Sequence, residues 1–199
     1  MPFLEPLSDE GVPSDILERF THYKNTRGFT PNSIKTMVRR PNIVRAFMQL
    51  NQAVLYEGTV REELKMLISL ISSQVAGCRY CQAHMANLSK IYEASEEKIS
   101  QVWNYANSEL FDESEKAALD IAYHGAMSPS QAKEQHFEAL SQYFNESEIV
   151  EIVATISLFG FLNRWNDTMA TELEDLPEKV AQSTIKGTFG WDIGKHEQS

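Results

Sequence analysis

The run Arg61-Glu-Glu-Leu-Lys-Met-Leu-Ile-Ser-Leu-Ile-Ser-Ser-Gln-Val75 predicts a largely buried α-helix, because apolar residues fill almost every turn of it. Thr59 and Glu62 have the spacing of a capping-box pair at its start. Ala76-Gly77 interrupts the pattern, and helical spacing resumes from Arg79 to Tyr92 through Tyr80, Ala83, Ala86, Leu88 and Ile91. The two segments read as a helical hairpin turning at Ala76-Gly77. Just beyond the turn lies Gly77-Cys-Arg-Tyr-Cys-Gln-Ala-His84, and Cys78 and Cys81 are the only cysteines in 199 residues.

That placement suits chemistry better than stapling. A disulfide within one helical turn closes almost no loop and removes little unfolded-state entropy. On a helix, positions i and i+3 share a face with Cα atoms about 5 Å apart, within the window a disulfide tolerates. The pair can therefore open and close with little backbone movement. Cys78 falls near a helix N-terminus, where the partial positive charge and neighbouring Arg79 favour thiolate over thiol. His84 is one turn beyond Cys81 on the same face, within reach for proton exchange with its sulfur. Inert buried cysteines and a zinc site are the competing readings. Zinc needs four ligands; Cys78, Cys81 and His84 offer three, and His22, His124, His136 and His196 supply no second pair nearby in the sequence. His124, just before Gly125, reads as a helix-end cation rather than a catalyst.

The length suits one domain with a sizeable core, and 42% hydrophobic residues are ordinary for a globular chain. A formal charge of −10 argues against nucleic acid, whose binding needs Lys and Arg to neutralise phosphates. The short basic cluster Arg39, Arg40 and Arg45 reads as a solvated face or an interface. The start, Met1-Pro-Phe-Leu-Glu-Pro-Leu-Ser-Asp-Glu10, lacks the basic-then-apolar order of a signal peptide. Ile149 to Leu162, the most apolar stretch, is too short to span a bilayer. The expectation is a cytoplasmic protein with no membrane partner, in a reducing compartment where Cys-x-x-Cys is more often catalytic than structural.

Helices follow one another along the chain. They are expected over Pro13–Tyr23, Pro31–Val38, Pro41 to about Tyr56, the thiol hairpin, Ser95–Asn104, and from Asp112 to about His124. Gln131–Phe144 follows, with Phe137, Leu140 and Tyr143 as its core side; then a long helix capped at Asn145 and running to about Leu173, and Pro177–Ile185. Asp112-Glu-Ser-Glu115 and Asn145-Glu-Ser-Glu148 are capping-box patterns. The Gly-rich, aromatic tail 187–199 is read as an arm that packs on a neighbour or is loosely held, Phe189 and Trp191 being suited to burial against another chain. No strand-period segment, fixed repeat or interdomain linker is visible. An all-α single domain over 1–199 is expected.

Five stretches carry a resemblance to the AhpD-like, carboxymuconolactone decarboxylase superfamily, in its peroxidase-related branch. They are Gly28-Phe-Thr-Pro-Asn-Ser33, Arg40-Pro-Asn-Ile43, Gly77–His84, Phe111–Leu119 and Phe159-Gly-Phe-Leu-Asn-Arg-Trp-Asn-Asp167. The resemblance implies an AhpD-like helical bundle, cofactor-free thiol chemistry on hydroperoxides, and homo-oligomers, often trimers or hexamers, with sites beside subunit interfaces. It also implies a proton relay that this chain lacks in its usual form. The relay glutamate, twelve residues before the first cysteine, is Met66 here, and the histidine four after the second is Met85. His84, shifted by one position, and Glu63 or Glu62, about a turn earlier, are the nearest substitutes. One residue of shift rotates a side chain by roughly 100° around the helix, so His84 does not inherit the old geometry.

The expected activity is thiol-dependent hydroperoxide reduction. Cys81 attacks and becomes a sulfenic acid, His84 assists as base, and Cys78 condenses to a Cys78–Cys81 disulfide. An external thiol or thiol-bearing protein reopens it at Cys78, taken as the more exposed sulfur. Cys81 as attacker rests on the resemblance; the helix terminus alone favours Cys78. Asn163, Arg164 and Asp167 either wall the thiol pocket or join subunits, or else Arg164 and Asp167 form a plain i,i+3 ion pair. Two rival functions share the thiol pair: a dithiol oxidoreductase without significant peroxide turnover, and an oligomeric helical scaffold that senses oxidation. A decarboxylase role would leave the thiols without a task.

Overall fold

The computed structural model describes residues 2–198, and every regular element among them is helical. In order these are α1 (Ser14–Arg27), α2 (Asn32–Met37), α3 (Pro41–Leu55), α4 (Glu62–Val75), α5 (Arg79–Ile91) and α6 (Glu96–Gln101, prolonged by a 3-10 turn at Val102–Asn104). Then come α7 (Glu113–Gly125), α8 (Glu134–Leu140), α9 (Glu146–Met169), α10 (Asp175–Thr184), α11 (Lys186–Phe189) and a last 3-10 turn at Gly194–His196. None of these helices is long and apolar enough to cross a membrane.

α4 is the axis of the bundle. Every residue from Leu64 to Ser73 is buried, as expected of a helix apolar on all sides, and it packs against α5, α7 and α9. Its buried hydroxyls are satisfied within the helix. Ser69, Ser72 and Ser73 donate to the carbonyls of Lys65, Ile68 and Ser69 at 2.6–2.8 Å. Lys65 is also buried; its ammonium donates to the Glu57 carbonyl (2.6 Å) and pairs with Glu151 of α9 (2.9 Å).

Glu151 also accepts the backbone N–H groups of Thr59 and Val60, while the Thr59 hydroxyl donates to Glu148. The expected Thr59–Glu62 capping box is therefore absent. The N-cap is Arg61, and carboxylates from α9 have taken the groups the box would have used. Gly58 lets that carboxylate in: its φ is +92°, and a Cβ there would lie 2.3 Å from the Glu151 carboxyl atoms.

The other two boxes are present, with Asp112 and Asn145 accepting from Glu115 and Glu148 N–H and receiving the reciprocal bonds. α8 differs from expectation. It is half the expected length, and its buried side is His136 and Leu140, with Phe137 and Tyr143 exposed. The tail is a second correction, since it packs on its own chain. The Trp191 indole is buried and donates to the Arg79 carbonyl (3.1 Å), Lys195 pairs with Asp167 (2.9 Å), and Leu173 N–H donates to the His196 carbonyl.

Candidate thiol site

The α4–α5 turn is a Schellman closure. Cys78 N–H reaches back to the Ser73 carbonyl (3.2 Å) and Gly77 N–H to that of Gln74 (3.0 Å), with Gly77 at φ +74°. Cys78 thus ends one helix and is the N-cap of the next, and Cys81 sits one turn into α5. Both thiols are free and buried, Cys78 at 0% exposure and Cys81 at 2%. This corrects the expectation that Cys78 is the more exposed sulfur. Arg79 turns away toward Asp192 of the tail (3.6 Å).

Cys81 lines a small cavity of about 40 Å³, together with Tyr80, His84, Met85, Phe159 and Asn166. Cys78 is not among its walls and lies behind, within hydrogen-bonding reach of Cys81. Burial pushes the Cys81 thiol well above the ordinary range, and the neighbouring Cys78 adds to it. The Asn166 amide opposes them, donating from Nδ2 to Sγ at 3.3 Å. Asn166 Oδ1 is buried and has no partner among the described residues.

His84 does not hydrogen-bond Cys81. Its Nε2 faces Glu174 Oε2 at 2.6 Å, and its ring stacks on Tyr80 (4.2 Å between centroids) with Phe29 edge-on (5.5 Å). Glu174, in the segment between α9 and α10, is the hub. Its Oε1 accepts the Tyr80 hydroxyl (3.1 Å) and the backbone N–H of Asn32. Burial, and then the Glu174 charge, push the Tyr80 phenol well up, so it remains a donor. With the Nε2 proton committed to Glu174, Nδ1 is the basic atom of the His84 ring.

The other sequence candidates lie elsewhere. Glu63 is engaged by Lys98 (3.1 Å) and Arg61 (3.1 Å) in a cluster that includes buried Glu115. Asn163, Arg164 and Asp167 wall a different cavity, of about 480 Å³, bounded by Ala76 and Gly125. Asn163 Nδ2 donates to the Ser72 carbonyl (3.4 Å), Arg164 is exposed, and Asp167 pairs with Lys195 rather than Arg164. Met66 is buried in α4 and Met85 is in the thiol cavity, so an apolar side chain replaces an ionic one there.

Asn166 and Glu174 were missed. Asn166 had a signal, since Phe159, Leu162, Asn163 and Asn166 fall on one face at helical spacing and all are buried. Glu174 lies ninety positions from His84, with no local pattern to mark it. The histidines read as dispersed also converge: His124 and His136 stack at 4.5 Å, each 3.6 Å from Asp120. Lys133 N–H donates to His136 Nδ1 (2.8 Å), so His136 Nε2 carries the proton and offers Asp120 a hydrogen rather than an ion a lone pair.

Residues 41–124 match the carboxymuconolactone decarboxylase family. The debrominase Bmp8 is 32% identical, with a TM-score of 0.84 over 90% of this chain and 96% of that one. A cysteine-to-alanine variant of Bmp8 has been solved in complex with 2,3,4-tribromopyrrole and is equally similar in fold. A peroxidase-related protein from Ralstonia eutropha JMP134, with an alkylhydroperoxidase AhpD core, is 26% identical with a TM-score of 0.77 over 87% and 94% of the two chains. YdfG of Bacillus subtilis (strain 168) is 24% identical over 112 residues, 55% of this chain and 74% of that protein.

Proposed function

The chain belongs to the AhpD-like, carboxymuconolactone decarboxylase superfamily, whose members are enzymes, and we propose that it is a thiol-dependent hydroperoxide reductase. One observation carries the reading: of two adjacent thiols, only Cys81 faces a cavity, and it shares that cavity with a histidine and a buried amide. About 40 Å³ holds roughly three waters or one small reacting group.

The hydroperoxide O–H donates to the unpaired Oδ1 of Asn166. His84, its Nε2 proton held by Glu174, takes the Cys81 proton on Nδ1 and so offsets the burial that opposes thiolate. Cys81 sulfur attacks the terminal oxygen, the O–O bond breaks, and the proton from His84 goes to the departing alkoxide. The products are an alcohol and Cys81 sulfenic acid. Cys78 sulfur then displaces water, forming the Cys78–Cys81 disulfide. Two external thiol equivalents restore the dithiol and leave as their own disulfide. With Cys78 fully buried, the reductant is a small thiol that attacks Cys81 through the cavity.

The likeness to a debrominase supports a second reading, in which the same dithiol reduces a carbon–halogen bond. One halogen leaves as halide, hydrogen takes its place on the ring, and the thiols become the disulfide. Hydroperoxide and 2,3,4-tribromopyrrole offered in parallel, with a small dithiol as reductant, separate the two: alcohol formation without halide release supports the peroxidase, and halide release alone the dehalogenase. The localisation consistent with either is the reducing cytoplasm. The assembly we propose is a homo-oligomer.

A further inference from the structure

A second cavity, of about 430 Å³, lies between α1, α3 and the end of α5. It shares Tyr23, Arg27, Asn51 and Leu88 with the thiol cavity, so it stands as an outer chamber to the small inner one. Its size is that of a site for a substituted ring, whereas the inner cleft admits a single functional group.

The charge of the outer chamber is unusual for this chain. Its lining holds Arg19 and Arg27 and no carboxylate, although the protein carries −10 overall. Both guanidiniums are half-buried, and their hydrogen bonds go to neutral groups, Arg19 to the Gln52 amide and Arg27 to the Tyr56 hydroxyl. Arg27 lies over the Tyr23 ring (4.6 Å) and beside that of Tyr56 (6.0 Å), which fixes its plane. Tyr56 and Tyr92 sit 5.9 Å apart, and burial, then Tyr56, hold the Tyr92 phenol up at about 12, so it stays a donor. A partly desolvated guanidinium without a carboxylate, ringed by phenol donors and flat apolar walls, is complementary to an aromatic anion.

We propose that the outer chamber binds the body of the substrate, and that this body is a small aromatic acid. The carboxylate meets Arg27 and the Tyr56 hydroxyl, the ring lies against Tyr92 and Leu88, and the reacting substituent enters the inner cleft at Cys81. Only this last clause rests on the thiol-site reading above; recognition of the acid does not.

Tyrosine fluorescence of the reduced full chain, titrated with 4-isopropylbenzoate and with the uncharged 4-isopropylbenzamide, tests recognition directly. The acid is expected to bind about tenfold to a hundredfold more tightly than the amide. Arg27→Met should abolish that preference, and Arg19→Met, at the chamber mouth, should reduce it; thermal melting establishes that each variant is folded. Equal affinity for acid and amide, or no saturable binding by folded wild type, overturns the proposal. A turnover arm compares cumene hydroperoxide with its para-carboxylate, the latter expected to have the higher kcat/KM. Acid binding without turnover of either hydroperoxide keeps the anion chamber and removes the peroxidase reading. Equal turnover of both without acid binding removes the chamber and keeps the peroxidase.

Discussion

Asn166 is where a single side chain sets the reactivity of the site. Its amide donates to the Cys81 sulfur inside a pocket whose burial works against the thiolate. A hydrogen bond to a charged acceptor is worth about 1.5–3 kcal/mol, so Asn166→Leu should slow alkylation of Cys81 by tenfold or more at pH 8. Because the folded thiol titrates above its unfolded value, the wild-type rate should still be rising above pH 9. The same sign governs stability: the thiol's contribution is complete below the unfolded value and is lost as pH climbs toward the folded one. Iodoacetamide kinetics on both proteins decide this, and an identical pair of profiles would remove Asn166 from the chemistry. His84→Ala should slow turnover by about a hundredfold, at the low end for a positioned base. Glu174→Gln should cost less, because the Tyr80 stack still holds the ring. If His84→Ala turned over like wild type, His84 would be only a packed core residue. The dithiol and His84 were legible in the sequence because they lie within seven positions. Glu174, the partner that orients His84, was not, because only the tertiary fold brings it there.

At the scale of elements, the local rules succeeded wherever the cap was made from neighbouring residues. Asp112 and Asn145 close their own boxes, and Gly77 turns the thiol hairpin. They failed at Thr59, whose groups are claimed by Glu148 and Glu151 some ninety positions on. They failed again on α8, where His136 and Leu140 share the buried side; a stripe drawn one residue along is turned by roughly 100°. The Lys65–Glu151 clamp between α4 and α9 gives a measurable consequence. Desolvation raises the Glu151 carboxyl, but Lys65 and the N–H groups of Thr59 and Val60 outweigh it, and the net shift is downward. Its contribution is therefore complete above the ordinary glutamate value and is lost as pH falls through the lower folded one. Glu151→Gln leaves the buried Lys65 charge without its counter-ion and should cost about 3–5 kcal/mol near neutral pH. Urea unfolding from pH 3 to 7 is the check. A cost that was small and independent of pH would mean the clamp is not holding the helices.

For the whole molecule, the tail reading changes the search for an interface. Trp191 is buried in its own chain, so it offers a partner nothing. What remains exposed is apolar surface on two adjacent helices: Ile43 and Leu50 on α3, with Val150, Val153 and Phe161 on α9, where Val150 is 65% exposed. Clustered apolar exposure of this kind marks an interaction surface, and a self-complementary contact between copies would cover it. Leu50→Glu with Val150→Glu should shift the assembly toward smaller species in light scattering at micromolar concentration. A wild-type mass near the 22.7 kDa of one chain would rule the oligomer out. The all-helical class was legible because helical periodicity is local. The division of the apolar surface between core, tail and exterior was not, since it depends on which helices meet.

The central claim is that Cys81 takes oxygen from a hydroperoxide and Cys78 resolves it. Intact mass and peptide mapping after one equivalent of cumene hydroperoxide test it most directly, on wild type, Cys78→Ser and Cys81→Ser. Wild type should lose two hydrogens to an intrachain Cys78–Cys81 disulfide, Cys78→Ser should gain one oxygen on Cys81 and stall, and Cys81→Ser should stay unmodified. Oxygen trapped on Cys78 of the Cys81→Ser variant, with none on Cys81 of its counterpart, or two thiols left intact in folded wild type, would contradict it.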